Sequence, residues 1–350
     1  MRVVITGATG NVGTSVIAAL GGGASVDEIV GLARRAPEWT PPRTRWVQAD
    51  VGVDDLRPVF AGADVVIHLA WLIQPSRDEA ALERANVGGS RRVFEAAAEA
   101  GAGRLVHASS VGVYSPGPKD RPVDESWPRD GVATSFYSRH KAAAERALDA
   151  VEAQAPELRV VRLRPGLIFK REAGAEVRRL FAGPLLPARL VRPGLVPVLP
   201  LPSRLVLQAV HGDDVGEAYR LAALSPGADG AYNVAADPVL NPPTLARVFR
   251  ARHVDVPARV LRMLADATWR ARLQPTPSGW LDMGLAVPLM DTRRAREQLG
   301  WTPRHSAVAA LEELLAGMRE PAGKDTPPLD PHAGGPLRIR ELHTGIGKRG

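Results

Sequence analysis

The sequence predicts an α/β protein built on a doubly wound parallel sheet, with a smaller lobe interleaved into its C-terminal part. Two observations lead to this prediction. Short β-branched runs alternate with helical stretches through the first 170 residues, which is the pattern of a parallel sheet covered by helices. The first of these runs also breaks into three glycines, Gly7, Gly10 and Gly13, immediately before a helical segment.

The glycine-rich turn within residues 3–13 is the candidate dinucleotide site. A strand that turns into a helix directs backbone N–H groups and the helix N-terminus at a diphosphate. Glycine permits the sharp turn, the close approach of the ligand and the tight packing of helix on strand. The spacing differs from G-x-G-x-x-G, so an ordinary strand-to-helix turn is the alternative. We expect the cofactor to contact Gly7, Thr9, Gly10, Asn11, Val12 and Gly13.

The residues after the second strand indicate which dinucleotide is used. That strand is predicted over residues 28–33, and Arg34 and Arg35 follow it. NAD sites place a carboxylate roughly 20 residues beyond the glycines to bind the ribose 2′-hydroxyl, whereas an arginine accommodates the 2′-phosphate of NADP. Because no carboxylate stands there, we expect NADP as the preferred cofactor and NAD as the alternative. Two simply solvated arginines are the competing explanation.

The next elements continue the same alternation. Strands are predicted at residues 45–49, 64–70 and 104–110, and helices at residues 54–60 and from Asn86 to residue 100. Ligands of doubly wound sheets bind at the carboxyl ends of the strands. The candidate cofactor residues at these ends are Asp50, Val51, Leu69, Ala70 and Asn86, and His68 is expected beside the cofactor without a catalytic role.

One predicted helix carries the candidate chemistry. It begins near Phe136 and runs to about residue 151, with Tyr137 and Lys141 in its first turns. Four residues is just over one helical turn, so these two side chains project from one face and can act together.

Several motifs, in this order along the chain, resemble the extended short-chain dehydrogenase/reductase family, which includes the NAD-dependent epimerases and dehydratases. The likeness runs from residue 1 to about residue 318. The residues that carry it are Gly7, Gly10, Gly13, Asp50, His68-Leu69-Ala70, Asn86, Ser109-Ser110, Tyr114, Tyr137-x-x-x-Lys141, Arg164-Pro165-Gly166, His211-x-Asp213-Asp214 and Leu299-Gly300-Trp301-x-Pro303.

The resemblance implies a role for each residue of the candidate site. Tyr137 would be the general acid/base, and Lys141 would bind the nicotinamide ribose and lower the pKa of the tyrosine. Family members place the active hydroxyl four positions before the tyrosine of the following loop, which is Tyr114 here. Ser110, rather than Ser109, would therefore hydrogen-bond the substrate carbonyl or hydroxyl. Tyr137, Lys141 and Pro165 would also contact the cofactor.

Two departures from the family pattern bear on the reaction. Sugar-nucleotide members usually have an asparagine after the arginine of the sixth strand, where this chain has Pro165 and Gly166. Sugar 4,6-dehydratases carry an Asp-Glu pair after the active hydroxyl, where this chain has Val111 and Gly112. We therefore expect an oxidoreductase that moves a hydride between nicotinamide and a carbonyl or alcohol carbon. The alternatives are an epimerase that retains NAD and a non-catalytic dinucleotide-binding sensor or scaffold.

Composition excludes several kinds of chemistry and partner. The 350 residues include no cysteine, so thiolate catalysis, disulfides and Cys-based metal sites are excluded. The net charge is +7, but the arginines are scattered, which argues against a nucleic-acid partner. No uninterrupted apolar run reaches the ~18 residues of a membrane span. The N-terminus enters a core strand without a signal peptide, so we expect a cytoplasmic protein.

We predict a Rossmann domain over residues 1–166, with a return segment at about 209–234. Residues 167–208 and 235–318 form the predicted substrate lobe, and residues 319–350, rich in proline and glycine, form a mobile or surface-draped tail. The partners that we expect are a small-molecule substrate and a second copy in a homodimer, formed by analogy through the helix of Tyr137.

The substrate lobe offers only weak signals about its ligand. The Leu-, Val- and Pro-rich residues 183–208 are a candidate pocket wall, which favours an apolar or mixed carbonyl substrate. Trp269, Trp280 and Met283 are further candidates for this cavity, although core packing explains them equally well. No metal is expected. The run from His211 to Asp214 is interpreted as a turn in which Asp213 or Asp214 caps the next helix.

Overall fold

The computed structural model of the chain describes residues 1–73, 76–178, 192–320 and 322–330. A seven-stranded parallel sheet forms its centre, and smaller sheets lie in the C-terminal part. The strands are β1 (Arg2–Thr6), β2 (Glu28–Ala33), β3 (Thr44–Gln48), β4 (Val65–His68), β5 (Arg104–Ala108), β6 (Pro122–Val123), β7 (Arg159–Pro165), β8 (Leu167–Phe169), β9 (Val198–Leu201), β10 (Leu207–His211), β11 (Gly230–Val234), β12 (Ala236–Leu240), β13 (Arg252–Asp255) and β14 (Leu289–Met290).

The strand order of the large sheet is β11-β7-β5-β4-β1-β2-β3, the order of a doubly wound fold. Val4 of β1 lies between Val30 of β2 and Val66 of β4, and all three are buried. A parallel sheet covered on both faces requires apolar strands of this kind. The predicted fold class is therefore confirmed, and the carboxyl ends of β1, β4 and β5 meet at one edge.

Helices cover both faces of the large sheet. The described residues form the following helices, some of which belong to the smaller lobe: α1 (Asn11–Gly21), α2 (Arg57–Phe60), α3 (Glu79–Glu83), α4 (Gly89–Glu99), α5 (Phe136–Gln154), α6 (Gly174–Val177), α7 (Gly212–Leu224), α8 (Pro242–Phe249), α9 (Ala258–Arg270), α10 (Gly279–Ala286), α11 (Arg293–Leu299) and α12 (Ala307–Arg319). The core with α1 and α7 is on one face and includes Ile17 and Tyr219, whereas Phe94 of α4 and Leu148 of α5 lie in the core of the other face.

The smaller lobe is built on a three-stranded sheet of order β12-β10-β8. Strand β10 is parallel to β8 and antiparallel to β12. Leu311 and Leu315 of α12 pack on this sheet in a core of their own. Helix α7 follows directly after β10 and returns the chain to the large sheet, where it packs against α1.

Two predicted helices differ from the observed ones. The helix expected over residues 54–60 has regular α-helical geometry only over α2, because Asp50 and Asp54 hold the preceding residues in a turn through their side chains. The helix expected to open at Asn86 instead begins with α3, whose N-cap is Asp78. It continues through a π-helical turn, Arg84–Gly88, into α4. Asn86 therefore lies inside the helical region.

The predicted tail is docked over the part that the structure describes. Within residues 322–330, Leu329 is completely buried and the ammonium of Lys324 lies 4.0 Å from the centre of the Trp39 ring. This part of the tail is therefore draped on the body. The remainder, residues 331–350, lies outside the described residues, as do residues 183–191 of the predicted pocket wall.

Within the described ranges, no helix combines the length and the apolar character that crossing a membrane requires.

Candidate active site

The glycine turn after β1 is closely packed against its neighbours. Gly7 has a φ of +69°, and a Cβ there would stand 2.6 Å from the backbone nitrogen of Ala70. A Cβ on Gly13 would stand 2.5 Å from the carbonyl oxygens of Gly7 and Ala8. Side chains at these two positions are therefore excluded, and the turn brings α1 close to the end of β4.

The turn has the features that a dinucleotide diphosphate requires. No acidic side chain lies in the first turn of α1, so its N-terminal N–H groups face no competing carboxylate from that turn. The side-chain oxygen Oδ1 of Asn11 is buried and has no hydrogen-bond partner in the described structure. An unpaired acceptor in the first turn of α1 fits a ligand that brings a hydrogen-bond donor, such as a ribose hydroxyl, while the helix N-terminus suits the diphosphate. Thr9 and Val12 border the same turn.

The other candidate cofactor residues lie at the neighbouring strand ends. Arg34 is exposed directly after β2, and Oδ1 of Asp50 accepts a hydrogen bond from the Gly52 nitrogen at 2.8 Å. Asn86 accepts from the Leu72 nitrogen at 2.7 Å and donates to the Leu72 oxygen at 3.0 Å. It thereby fixes the chain that follows Leu69 and Ala70. Val51 follows Asp50, and Pro165 closes β7 against Val234.

Ser110, Tyr137 and Lys141 converge beside this edge. Tyr137 and Lys141 stand in the first turns of α5, whose N-cap Ser135 accepts a hydrogen bond from the Ser138 nitrogen. The Ser110 side chain, just beyond β5, lies near enough to the Tyr137 phenol to influence its pKa, and its hydroxyl oxygen accepts a hydrogen bond from the Gly112 nitrogen at 3.0 Å. One loop and one helix thus place a hydroxyl, a phenol and an amine together at the carboxyl ends of the strands.

Lys141 is buried and has lost most of its solvation. Its Nζ donates to the Ala108 oxygen at 2.7 Å and lies 3.4 Å from the centre of the Trp71 ring. Burial lowers its pKa to about 7, although the carboxylate of Glu145 opposes the shift.

Tyr137 differs from the expectation that Lys141 lowers its pKa. Partial burial raises the pKa of the phenol to about 12, and the nearby Ser110 side chain lowers it only in part. Lys141 Nζ is 5.9 Å from the centre of the tyrosine ring and directs its hydrogen bond to Ala108. Desolvation therefore dominates the pKa of Tyr137, and the phenol is protonated at pH 7.

Ser109 and Ser110 have different partners. The Ser109 hydroxyl donates to Oε1 of Glu145 at 2.5 Å, inside the protein. Glu145 also binds the guanidinium of Arg164 at 2.7 and 2.9 Å. Ser109 thus belongs to a buried ionic network, whereas Ser110 lies beside the phenol.

The surroundings of Tyr137 are aromatic. The Trp71 ring meets the Tyr137 ring nearly edge-on with centroids 6.1 Å apart, and the Trp280 ring lies 4.9 Å away at 33°. Sequence reasoning did not single out Trp71, although it follows Ala70 directly. Of the other pocket candidates, Met283 lies beside Tyr137 and Trp280 in one apolar cluster. Trp269 instead packs under the guanidinium of Arg77.

His68 is a structural residue at the end of β4. Its Nδ1 is 2.7 Å from the Thr6 hydroxyl and its Nε2 is 2.9 Å from the Ser90 hydroxyl. Burial lowers its pKa to about 3, so the ring is neutral. His68 thus joins β1, β4 and α4 below the glycine turn.

The expected cap of α7 was wrong. The N-cap is His211, whose Nδ1 accepts from the Asp213 nitrogen at 3.2 Å. Asp214 instead accepts two hydrogen bonds from His305, from its backbone nitrogen and from Nδ1. Glu313 is 3.2 Å from Nε2 of His211. A histidine nitrogen can replace the usual capping oxygen because it is also a good acceptor.

A family model that matches most of the described chain shows the family to which the protein belongs. The model of the NAD dependent epimerase/dehydratase family matches residues 3–235, which include the glycine turn and Ser110, Tyr137 and Lys141. The chain belongs to this family. The predicted resemblance is therefore confirmed.

Curated relatives include proteins with and without a stated reaction. A 3-diazoavenalumate denitrifying reductase of a Streptomyces species is 31% identical over 87% of this chain and 97% of the relative. A 4-hydroxy-2-methyl-3-oxo-4-farnesyl-3,4-dihydroquinoline-1-oxide ketoreductase of Stigmatella aurantiaca is 28% identical over 94% and 99%. An uncharacterized protein of Mycobacterium tuberculosis is 28% identical over 91% of this chain, which spans only 30% of that longer relative.

Solved structures share the fold at low identity. A structure titled MoeE5 in complex with UDP-glucuronic acid and NAD has a TM-score of 0.67 at 22% identity, covering 91% of this chain and 99% of the other. The Thermus thermophilus UDP-glucose 4-epimerase complex with NAD has a TM-score of 0.66 at 21% identity, with the same coverage. The same fold therefore occurs in proteins whose structures contain NAD.

Proposed function

We propose that the protein is an NAD(P)-dependent reductase of a small-molecule carbonyl compound, with Tyr137 as the proton donor. The observation that supports this most directly is the convergence of the Ser110 hydroxyl, the Tyr137 phenol and the Lys141 amine beside the glycine turn. A binding module that only held a dinucleotide would have no need of a hydroxyl, a phenol and an amine brought together in this way. The non-catalytic alternative is therefore disfavoured.

The residues divide the work of carbonyl reduction between them. The bound nicotinamide would supply the hydride to the carbonyl carbon. Ser110 donates a hydrogen bond to the carbonyl oxygen and holds it beside Tyr137. The Tyr137 phenol then passes its proton to that oxygen as negative charge develops there. Lys141 contributes its N–H groups to the nicotinamide ribose, and Asn86 keeps the loop beyond Ala70 in place.

The protonation of Tyr137 favours reduction over oxidation. A pKa of about 12 keeps the phenol protonated at pH 7. Reduction requires a proton donor, whereas alcohol oxidation, the first half of an epimerase cycle, requires a phenolate base. The two curated relatives described above with a stated reaction are both called reductases. The epimerase is therefore the second candidate, and Pro165 in place of the family asparagine also weakens it.

We propose that NADP is the preferred cofactor, with the 2′-phosphate beside Arg34. The arginine is exposed immediately after β2, where that phosphate would lie. Asp50 faces the backbone of Gly52 through its carboxylate, so it is engaged in its own turn. The positive character of this end of the site therefore rests on Arg34.

The decisive experiment combines cofactor analysis with Tyr137→Phe. One portion of the purified protein is denatured, and any released dinucleotide is identified by mass spectrometry. A second, folded portion freed of cofactor is titrated with NADPH and NADH. We expect exchangeable NADPH and a loss of about 10² to 10⁴-fold in turnover of a carbonyl substrate in Tyr137→Phe with NADPH affinity retained. Tyr232→Phe is the matched control, because its hydroxyl contacts Asp229 and Gln298 away from the site.

Two results would contradict the proposal. Stoichiometric NAD carried through purification would indicate the epimerase cycle. Full turnover in Tyr137→Phe would remove the phenol from the mechanism.

A further inference from the structure

Three rings from separate parts of the chain form an aromatic corner at the proton donor. We define it as Trp71, from the loop after β4, Tyr137 on α5 and Trp280 on α10. Trp71 meets the tyrosine ring at 76° and Trp280 meets it at 33°, with centroids 6.1 and 4.9 Å away. The two tryptophan rings thus meet the ring of the phenol at clearly different angles.

The rings of the corner are only partly covered. All three keep intermediate exposure. Phe136 and Met283, which pack against them, are buried, with exposed fractions of only 4% and 8%. Rings that serve only as core lose their solvent exposure, as those two side chains do. The corner therefore retains exposed aromatic surface beside the phenol.

The cations Lys141, at the corner, and Arg262, paired with α10, have partners, whereas the indole nitrogen of Trp71 is buried without one in the described structure. Lys141 lies over the Trp71 ring and donates to Ala108. On the lobe side, the Arg262 guanidinium is neutralised by Asp282 and Asp266. A charged diphosphate would require uncompensated cations at this place. The corner instead offers π-faces and ring edges.

From these observations we infer that the substrate carbonyl is attached to, or conjugated with, a planar aromatic ring. This inference rests on the proposed reductase function. Aromatic rings prefer offset-stacked or edge-to-face contacts, and the exposed parts of the two tryptophan rings can make either kind of contact with a flat molecule. A saturated ring of the same carbon skeleton is thicker and lacks the quadrupole that these contacts use. The corner would therefore select flat aryl ketones over saturated ones.

The test compares two bicyclic ketones with the same ten-carbon skeleton. 1-Tetralone contains a fused benzene ring, and 1-decalone is saturated. We expect wild-type kcat/KM to favour 1-tetralone by about tenfold. Trp280→Leu keeps an apolar side chain but removes the ring, so it should reduce the preference by about fivefold or more, mainly through KM. Trp39→Leu, whose ring contacts Trp46 away from the corner, should leave the preference unchanged.

A binding readout separates the inference from differences in ketone reactivity. 2-Naphthol and decahydro-2-naphthol are compared as inhibitors of the reduction. We expect 2-naphthol to bind more tightly to the wild type and to lose that advantage in Trp280→Leu. Equal inhibition by both, or a preference unchanged in Trp280→Leu, would overturn the aromatic assignment.

The failure of this inference differs from a failure of the proposed function. Tyr137-dependent reduction of both ketones at equal rates would retain the reductase and reject the aromatic substrate. If Tyr137→Phe reduced the ketones as fast as the wild type, the assigned reductase mechanism would fail, and the inference that rests on it would be overturned.

Discussion

The carboxylate of Glu145 binds Arg164 through two hydrogen bonds, of 2.7 and 2.9 Å, on the helix that carries Tyr137 and Lys141. The exposed fractions of the two side chains are 0% and 3%. Glu145 also accepts a hydrogen bond from Ser109, the neighbour of the active hydroxyl. The pair therefore ties α5 to β7 and to the end of β5, and it fixes the helix from which Tyr137 projects.

Replacing Glu145 by glutamine should destabilise the protein strongly. The substitution keeps the size of the side chain but leaves the Arg164 charge buried without its counter-charge. Breaking a buried pair in this way costs about 3–5 kcal/mol. The measurement is the free energy of unfolding in urea. Glu152→Gln is the control, because the Glu152 side chain is 37% exposed and its loss should cost about 1 kcal/mol or less. Equal costs for the two variants would contradict this account.

A methyl group at Gly13 should distort the glycine turn and so weaken cofactor binding. The added Cβ would stand 2.5 Å from two carbonyl oxygens, so the backbone of the turn must move. We expect Gly13→Ala to lose about 1–3 kcal/mol of stability and to weaken NADPH binding at least tenfold. Gly21→Ala, at the other end of α1, is the control because nothing lies within 4 Å of its Cβ. It should be neutral or stabilising, by up to about 1 kcal/mol.

The strands of the large sheet could be predicted because a buried parallel strand is apolar on both faces. The second strand was predicted over residues 28–33, as observed, and the ends of the strands predicted at 45–49, 64–70 and 104–110 differ from the observed ends by at most two residues. Helix boundaries were harder to place. The start of α3 depends on the cap at Asp78, and the π-helical turn Arg84–Gly88 has no signal in periodicity.

The site residues could be predicted only where they are close together in the sequence. Tyr137 and Lys141 share a helix, so four residues sufficed to place them on one face. Trp71 and Trp280 reach Tyr137 through tertiary packing, which periodicity does not encode. The protonation states also depend on the tertiary environment. Burial raises the pKa of Tyr137 and lowers that of Lys141, against the expectation from charge alone.

The stability of the cofactor-free protein should rise with pH through the titration of Lys141. Its pKa is about 7 when folded and about 10.4 in an unfolded chain. Between these values the unfolded chain binds one more proton at this site, so raising the pH favours folding. Well below pH 7 Lys141 is protonated in both states, so it no longer contributes to the slope of stability against pH. Lys141→Met should reduce the slope by up to about 1.4 kcal/mol per pH unit.

Urea unfolding at several pH values between 6 and 10 provides the measurement for Lys141. Lys170→Met supplies the comparison, because burial lowers the pKa of Lys170 only to about 8. Its loss should reduce the slope above about pH 8 and leave the slope between pH 7 and 8 nearly as in the wild type. If Lys141→Met kept the wild-type slope over the whole range, the buried amine would have to be protonated throughout.

The last prediction concerns the choice between the two dinucleotides. Arg34 is exposed at the end of β2 and lies beyond the strand that pairs with β1. If it binds the 2′-phosphate, Arg34→Ala removes a charge-assisted hydrogen bond worth about 1.5–3 kcal/mol. NADPH affinity should then fall by at least about tenfold while NADH affinity stays unchanged. Arg91→Ala, an exposed arginine on α4, should change neither affinity. An unaltered ratio of NADPH to NADH affinity in Arg34→Ala would mean that this arginine is only a solvated surface residue, and the NADP preference would then have to be sought in another part of the site.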